Sequence, residues 1–290
     1  MSLAAALSRT LGCEVAADSQ RRVSGGSINA CSRFESSRGP LFVKHGDPAS
    51  LEMFQAEADG LAELARARCV RVPEVLAVHE EKGGAFLVLG WIDLRDASAS
   101  SETRLGEQLA AQHRVTQQKF GWHRDNTIGS TPQANRLTDH WVEFLREQRL
   151  RPQLLLARDN GAEPSLIDSG ERLCEQLGCF FTDYRPSPSL LHGDLWGGNW
   201  GVDASGQPVL FDPAVYFGDR EADLAMTRLF GGFGAPFYAA YRAAWPLDAG
   251  APTRIDLYNL YHVLNHYNLF GGGYARQAAA MTQRLLADLK

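Results

Sequence analysis

The chain has 290 residues, with 29 Lys and Arg against 34 Asp and Glu, a net charge of −5 at pH 7. That acidic balance argues against a nucleic-acid coat or a binder of anionic membranes, since either needs a basic excess. Hydrophobic residues at 44% and charged residues at 22% exclude disorder and collagen-like repetition, and the length suits about two domains.

In chain order, residues 21–23 read as a strand running into the Gly-rich turn Ser24-Gly25-Gly26-Ser27-Ile28-Asn29. Residues 40–45 form a short apolar strand carrying Lys44 near its end. Asp47-Pro48 supplies a helix N-cap followed by proline at the first helical position. Leu51, Phe54, Ala58, Leu61 and Ala65 then recur at three- and four-residue spacing, which makes one buried helical stripe. Val- and Leu-rich strands follow at 72–78 and 85–89. The expectation is a small α+β unit, a five-stranded antiparallel sheet with one helix.

After Asp93 the periodicity turns helical, over 105–114, 138–157, 165–177, 220–230, 236–245, 252–267 and 275–289. A polar, Gly-rich island at 190–201 and a strand at 208–211 interrupt it. Two units, 1–92 and 93–290, are expected to meet near residues 90–96, with a ligand cleft between them. The most apolar stretch, 85–92, is far short of the ~20 residues that span a membrane. Residues 1–10 lack a basic segment before their Leu/Ala run, so no secretory signal is expected. Five cysteines (Cys13, Cys31, Cys69, Cys174, Cys179) without a CxxC pair read as reduced thiols of a cytoplasmic protein.

The densest chemical signal is Leu191-His192-Gly193-Asp194-Leu195-Trp196-Gly197-Gly198-Asn199, followed by Leu210-Phe211-Asp212-Pro213. A hard cation such as Mg²⁺ takes carboxylate and amide oxygens together with substrate phosphates, so Asn199 and Asp212 suit it. Asp194 is left to accept a proton from a substrate hydroxyl. One Asp in a loop would be an ordinary turn. The ordered set H-G-D-x-x-x-x-N, with an Asp ending the next apolar strand, matches the catalytic-loop and metal-Asp pattern of kinases.

Lys44 alone is a strand-end lysine. Glu57, however, falls on the flank of the buried helical stripe and needs a cation, and kinases pair a Lys from this strand with a Glu from this helix to aim the ammonium at the ATP phosphates. Gly25 and Gly26 permit close approach of backbone to phosphates, and their position before the Lys44 strand supports that role. No G-x-x-x-x-G-K-[ST] run is present, which argues against a P-loop NTPase. Residues 86–92 resemble a kinase strand entering its hinge, where the Gly90 carbonyl and the Ile92 N–H would meet an adenine edge.

Two histidines, His262 and His266, stand one helical turn apart, but the Glu of H-E-x-x-H is replaced by Val263. A structural role, or one facing substrate in the cleft, fits better than zinc. Packing accounts for Trp122, His123, Asp125 and Asn126.

The blocks at 24–29, 42–44, 121–133 (GWHRDNTIGSTPQ), 192–200 (HGDLWGGNW) and 211–233 (FDPAVYFGDREADLAMTRLFGGF) resemble the fructosamine/ketosamine-3-kinase family. The resemblance spreads over most of the chain, and the Trp of HGDLWGGN is specific to that family. It implies a bilobal protein-kinase-like fold and ATP-dependent phosphorylation of the 3-hydroxyl of a ketosamine, a step in the repair of glycated amines. Carried over residue by residue, it makes Asp194 the base, gives Asn199 and Asp212 to Mg²⁺, pairs Lys44 with Glu57, and sets Gly25, Gly26 and Ser27 above the phosphates. It places Trp196 against the sugar, and Asp219 and Glu221 against a cationic amine or as braces of the loop. Two positions depart from the family: some members carry Cys where Ser27 stands, and an acidic residue often stands in place of Gly90.

Competing readings are another small-molecule kinase of this fold, acting on an aminoglycoside or choline, and a non-catalytic ATP-binding regulator. The partners expected are ketosamine small molecules or glycated proteins, with no nucleic acid and no membrane. The sugar, the amine, and the choice between monomer and homodimer are open at this stage.

Overall fold

Apolar residues occupy both parities of the run from Ala85 to Leu89, so the strand carrying them needs cover on both faces. A computed structural model, describing residues 2–23, 30–81 and 83–289, supplies that cover with two helices. In chain order these elements are α1 (Leu3–Leu11), β1 (Arg21–Arg22), β2 (Ala30–Phe34), β3 (Leu41–Gly46), α2 (Leu51–Ala67), β4 (Val75–Glu81) and β5 (Gly84–Gly90). The strands form one antiparallel sheet in the order β1-β2-β3-β5-β4. Phe34, Leu41, Val43, Phe86 and Val88 pack with Leu7 of α1, whereas Ala85, Leu87 and Leu89 pack with Phe54 and Leu61 of α2.

The second helix corrects the expectation of one. α1 is a short Ala/Leu run capped by Ser2, whose hydroxyl accepts the Ala5 N–H. β2 is the strand whose position the apolar pattern did not disclose. Asp47 does cap, but over a 3₁₀ turn, Pro48–Ser50, that leads directly into α2.

Past residue 90 the chain builds α3 (Ala99–His113), the hairpin β6 (Asn126–Ile128) and β7 (Thr131–Gln133), α4 (Trp141–Leu145), α5 (Arg151–Asp159) and α6 (Pro164–Gln176). It continues through β8 (Ser189–Leu191), β9 (Trp200–Val202), β10 (Pro208–Leu210), β11 (Tyr216–Gly218), α7 (Glu221–Leu229), α8 (Ala235–Ala244), α9 (Ala251–Phe270) and α10 (Tyr274–Ala287). α3 begins six residues before its apolar period because Ser98 and Ser101 close a capping box. The expected helix over 138–157 is broken by a π-helical turn, Arg146–Leu150, where the Arg151 N–H reaches back to the Arg146 carbonyl. Pro152 has no N–H to give and its ring crowds the preceding turn, so the helix widens there.

Three short antiparallel pairs, β6–β7, β8–β11 and β9–β10, hold the loops between these helices. Gly60 of α2 lies against the segment after β10: a Cβ there would stand 3.3 Å from Val215 and 3.4 Å from Pro213. That close approach brings α2 down onto the far side of the cleft.

Candidate active site

Strand parity aims Lys44. Its neighbours Val43 and His45 alternate with it, so Lys44 shares the α2 face with Phe42 and is nearly enclosed, at 5% exposure. Glu57 sits one turn before Leu61 on α2, and the Lys44 Nζ lies 2.8 and 2.9 Å from its two carboxylate oxygens. The same ammonium also donates to Asp212 Oδ1. The approach of α2 to Pro213 and Val215 is what allows one lysine to serve both acids.

Asp194 and Asp212 come from two segments that cross. His192 accepts the Ala214 N–H at 2.9 Å and its ring Nε2 meets the Phe211 carbonyl at 3.0 Å. A carbonyl only accepts, so the His192 proton is on Nε2, and Nδ1 receives the Asp194 N–H at 3.3 Å. Gly193 lies at the crossing with φ +85°, and a Cβ there would come within 2.0 Å of the Ala214 carbonyl oxygen. No other residue fits. Asp212 adopts a left-handed backbone at φ 55°, a conformation Asp tolerates better than most side chains.

Asn199 ties the two together. Its Nδ2 donates to the Asp194 carbonyl at 2.8 Å, to Asp194 Oδ2 at 3.2 Å and to the Asp212 carbonyl at 3.4 Å. With the amide nitrogen spent, the Asn199 Oδ1 is the atom left for a cation. The sequence-predicted residues Lys44, Glu57, Asp194, Asn199 and Asp212 are thus brought to one place.

Charge is concentrated here. Burial, then the negative charge of Asp212, pushes the Asp194 carboxyl up to about 7, against the pull of the Asn199 bond. Burial likewise raises Glu57 to about 7, with Lys44 opposing. For Lys44, burial works against the charge, but Glu57 and Asp212 outweigh it and hold its pKa above the ordinary lysine value.

Beside this cluster lies a cavity of about 260 Å³, lined among others by Phe42, Gly90, Trp91, Ile92, Phe211 and Asp212. The Gly90 N–H donates to Glu74 O and the Trp91 N–H to Pro40 O, at 2.9 and 3.1 Å. The Ile92 N–H has no acceptor among the described residues. Gly25, Gly26 and Ser27 lie outside the described residues. Trp196 is 39% exposed, its ring folded over Gly198.

The sequence profile of the fructosamine kinase family matches residues 1–288. A Synechocystis sp. protein named “Probable ketoamine kinase” is 43% identical over 98% of this chain and 96% of its own length.

The chain belongs to the fructosamine kinase family.

The chloroplastic protein-ribulosamine 3-kinase of Arabidopsis thaliana is 41% identical, covering 92% of this chain and 82% of its own. Among solved structures, a Thermobifida fusca protein assigned as a fructosamine-3-kinase superposes with a TM-score of 0.88 at 34% identity, over 99% of both chains. The aminoglycoside phosphotransferase APH(4)-Ia reaches 0.67 at 16% identity over 99% of both, which speaks for a shared kinase-like fold. This fructosamine kinase family member therefore has the α+β, protein-kinase-like architecture that its motifs implied.

Two substrate residues need correction. Asp219 is fully buried, accepting hydrogen bonds from the Tyr184 and Tyr258 hydroxyls and the Glu221 N–H at 2.9, 2.6 and 3.0 Å. Glu221, equally enclosed, takes a two-pronged bond from Arg254 at 2.7 and 2.9 Å. Neither can reach an amine in the cleft; both brace the segment behind it.

Sequence reading missed Asp223. Its carboxylate accepts the backbone N–H of His192 at 2.7 Å and of Gly193 at 2.8 Å, and meets His113 Nε2 at 3.1 Å. Burial opposes its charge, yet the His113 hydrogen bond and the other donors hold its pKa below the usual carboxylate range. His113 is in turn fixed by the Tyr241 hydroxyl at 2.8 Å. The available signal was the acid-rich run at 219–223, read toward substrate instead. Asn126 and Gln133 of the β6–β7 hairpin were also missed as functional: their amides hold the Val215 and Ala214 carbonyls at 2.8 and 3.3 Å.

Proposed function

We propose that this kinase transfers the γ-phosphoryl group of Mg·ATP to the 3-hydroxyl of a ketosamine, with Asp194 as the base. What carries the reading is the convergence of Asp194, Asn199, Asp212 and Lys44 beside a hinge-lined cavity. The donor set fits a hard cation: one carboxylate, one amide oxygen and room for phosphate oxygens, without the three-acid or histidine cluster that a self-sufficient metal site would need. Among the described residues there is no such cluster. When bound, the cation would neutralise phosphate charge as the transferred group departs.

The protein's own contribution is position and charge. The cavity takes the adenine, with the Ile92 N–H and the Gly90 carbonyl as its edge contacts. Lys44, steered by Glu57, meets the phosphate oxygens. Asp194 orients the sugar hydroxyl and takes its proton as the hydroxyl oxygen bonds to phosphorus and the bond to ADP breaks. Trp196 supplies an apolar wall for the sugar. The residues 1–92 carry the nucleotide side and 93–290 the acceptor side, and the five free thiols suit a cytoplasmic setting. Among the described residues no helix is long and apolar enough to cross a membrane.

Coupled ADP release with fructose- and ribose-derived amine adducts, beside aminoglycosides and choline as controls, tests the substrate class. Turnover confined to the controls would refute it. Asp212→Ala should abolish Mg²⁺-dependent nucleotide binding by calorimetry, and retained metal-dependent affinity would remove Asp212 from that role.

The raised Asp194 carboxyl sets the pH dependence. A base must be deprotonated to act, so kcat/KM should climb as pH rises from 6 to 8 and level off above the pKa of about 7. A flat profile from pH 5.5 upward would contradict this.

A further inference from the structure

The paired imidazoles of α9 have so far no function. His266 Nδ1 lies 2.8 Å from the His262 carbonyl, which can only accept, so the proton sits on Nδ1 and Nε2 presents a lone pair. Burial lowers the His266 pKa and keeps the ring neutral near pH 7. No donor among the described residues meets that Nε2.

Three rings surround it. Phe230, Tyr274 and Phe270 have centroids 4.5, 5.3 and 5.6 Å from the His266 ring, tilted by 42°, 52° and 54°. Phe230 is 40% exposed and Phe270 is 58% exposed, an unusual amount of aromatic surface to leave in water at one spot.

The cluster is joined to the catalytic loop through the two residues that follow Phe230. Phe230 follows α7 and leads into Gly231-Gly232, whose backbone presses on Gly197, three residues after Asp194; a Cβ on Gly232 would stand 2.4 Å from the Gly197 Cα. The Trp200 Nε1–H donates to the Gly232 carbonyl at 3.1 Å and fastens the contact. The nucleotide cavity is lined by other residues.

A ketosamine held with its 3-hydroxyl at Asp194 has its nitrogen only two carbons further along, and a secondary alkylamine is protonated at neutral pH. The acids that would have answered that charge, Asp219 and Glu221, are sealed in the interior. The ring faces of this cluster and the His266 lone pair both attract an N–H cation.

We propose that Phe230, His266, Phe270 and Tyr274 form the subsite for the amine half of the ketosamine, with the rings against the protonated amine and its carbon chain and His266 Nε2 accepting an N–H. This rests on the ketosamine reading above and names the part of the enzyme that would select among amines.

Kinetics with a ketosamine of a long alkylamine and with its neutral 1-O-alkyl ether counterpart test it. Phe270→Ala, a change at an exposed ring, should raise KM for the amine about three- to tenfold while kcat and the KM for ATP stay within about twofold. The ether, which keeps the carbon chain but lacks the N–H cation, should rise less than the amine. His266→Phe, which keeps a ring and loses the acceptor, should shift the amine KM in the same direction. An unchanged amine KM in both variants, or an equal rise for amine and ether, overturns the subsite and leaves the ketosamine assignment intact. Failure of the unmodified enzyme to phosphorylate any ketosamine overturns both.

Discussion

Asp194→Asn should reduce kcat by about 10²–10⁴, the range a positioned base contributes, while nucleotide affinity stays near that of the unmodified enzyme. The amide is the same shape as the carboxylate, so one side-chain oxygen can still accept from Asn199. It also removes a negative charge that Asp212 repels, the interaction that helps lift the Asp194 pKa to about 7. Thermal stability at pH 8 should therefore hold or rise. Single-turnover phosphate transfer and calorimetric nucleotide titration separate the two effects. Undiminished turnover in this variant would remove Asp194 from the chemistry.

Asp223→Ala should be the most damaging change away from the reacting groups. It strands two backbone N–H groups and one imidazole in the interior. Removing one partner from a buried charged network costs about 3–5 kcal/mol, and each orphaned donor carries a desolvation penalty. The loop bearing Asp194 loses its anchor as well, and a shift of about 1 Å at a catalytic group can cost 10²-fold in rate. Urea unfolding and kcat should fall together, with Asp223→Asn intermediate because it keeps one accepting oxygen. A variant with native stability and native kcat would show that the loop is held elsewhere.

How much of this was legible beforehand depended on whether a residue's role is written locally. The catalytic set was readable because its spacing is local: Asp194 and Asn199 are five apart, and Asp212 ends the next apolar strand. Lys44 and Glu57 were readable through strand and helix periodicity. The β2 strand was not, because Ala30-Cys31-Ser32-Arg33-Phe34 lacks a clean apolar alternation and is defined by its pairing with β3. The π-helical turn was hidden inside a strong helical period, with Pro152 as its one visible cause. Asp219, Glu221 and Asp223 look alike in a row, yet the helix they open gives each a different partner: tyrosines, Arg254, and the catalytic loop. Which partner each buried acid meets is decided by packing from α3 and α9, far away in the chain.

The crossing of residues 192–194 over 211–214 also bears on inhibition. Gly193 beneath the Ala214 carbonyl, the His192 ring on Phe211 and the Asn199 amide across both tie the two segments of that floor together, and turning either outward breaks those bonds. The sheet β1-β2-β3-β5-β4 carries Phe42, Leu89 and Gly90 of the cavity wall on its other side. Compounds that lodge only after such a floor has flipped outward should bind weakly here, and those moulded to its standing shape should bind better.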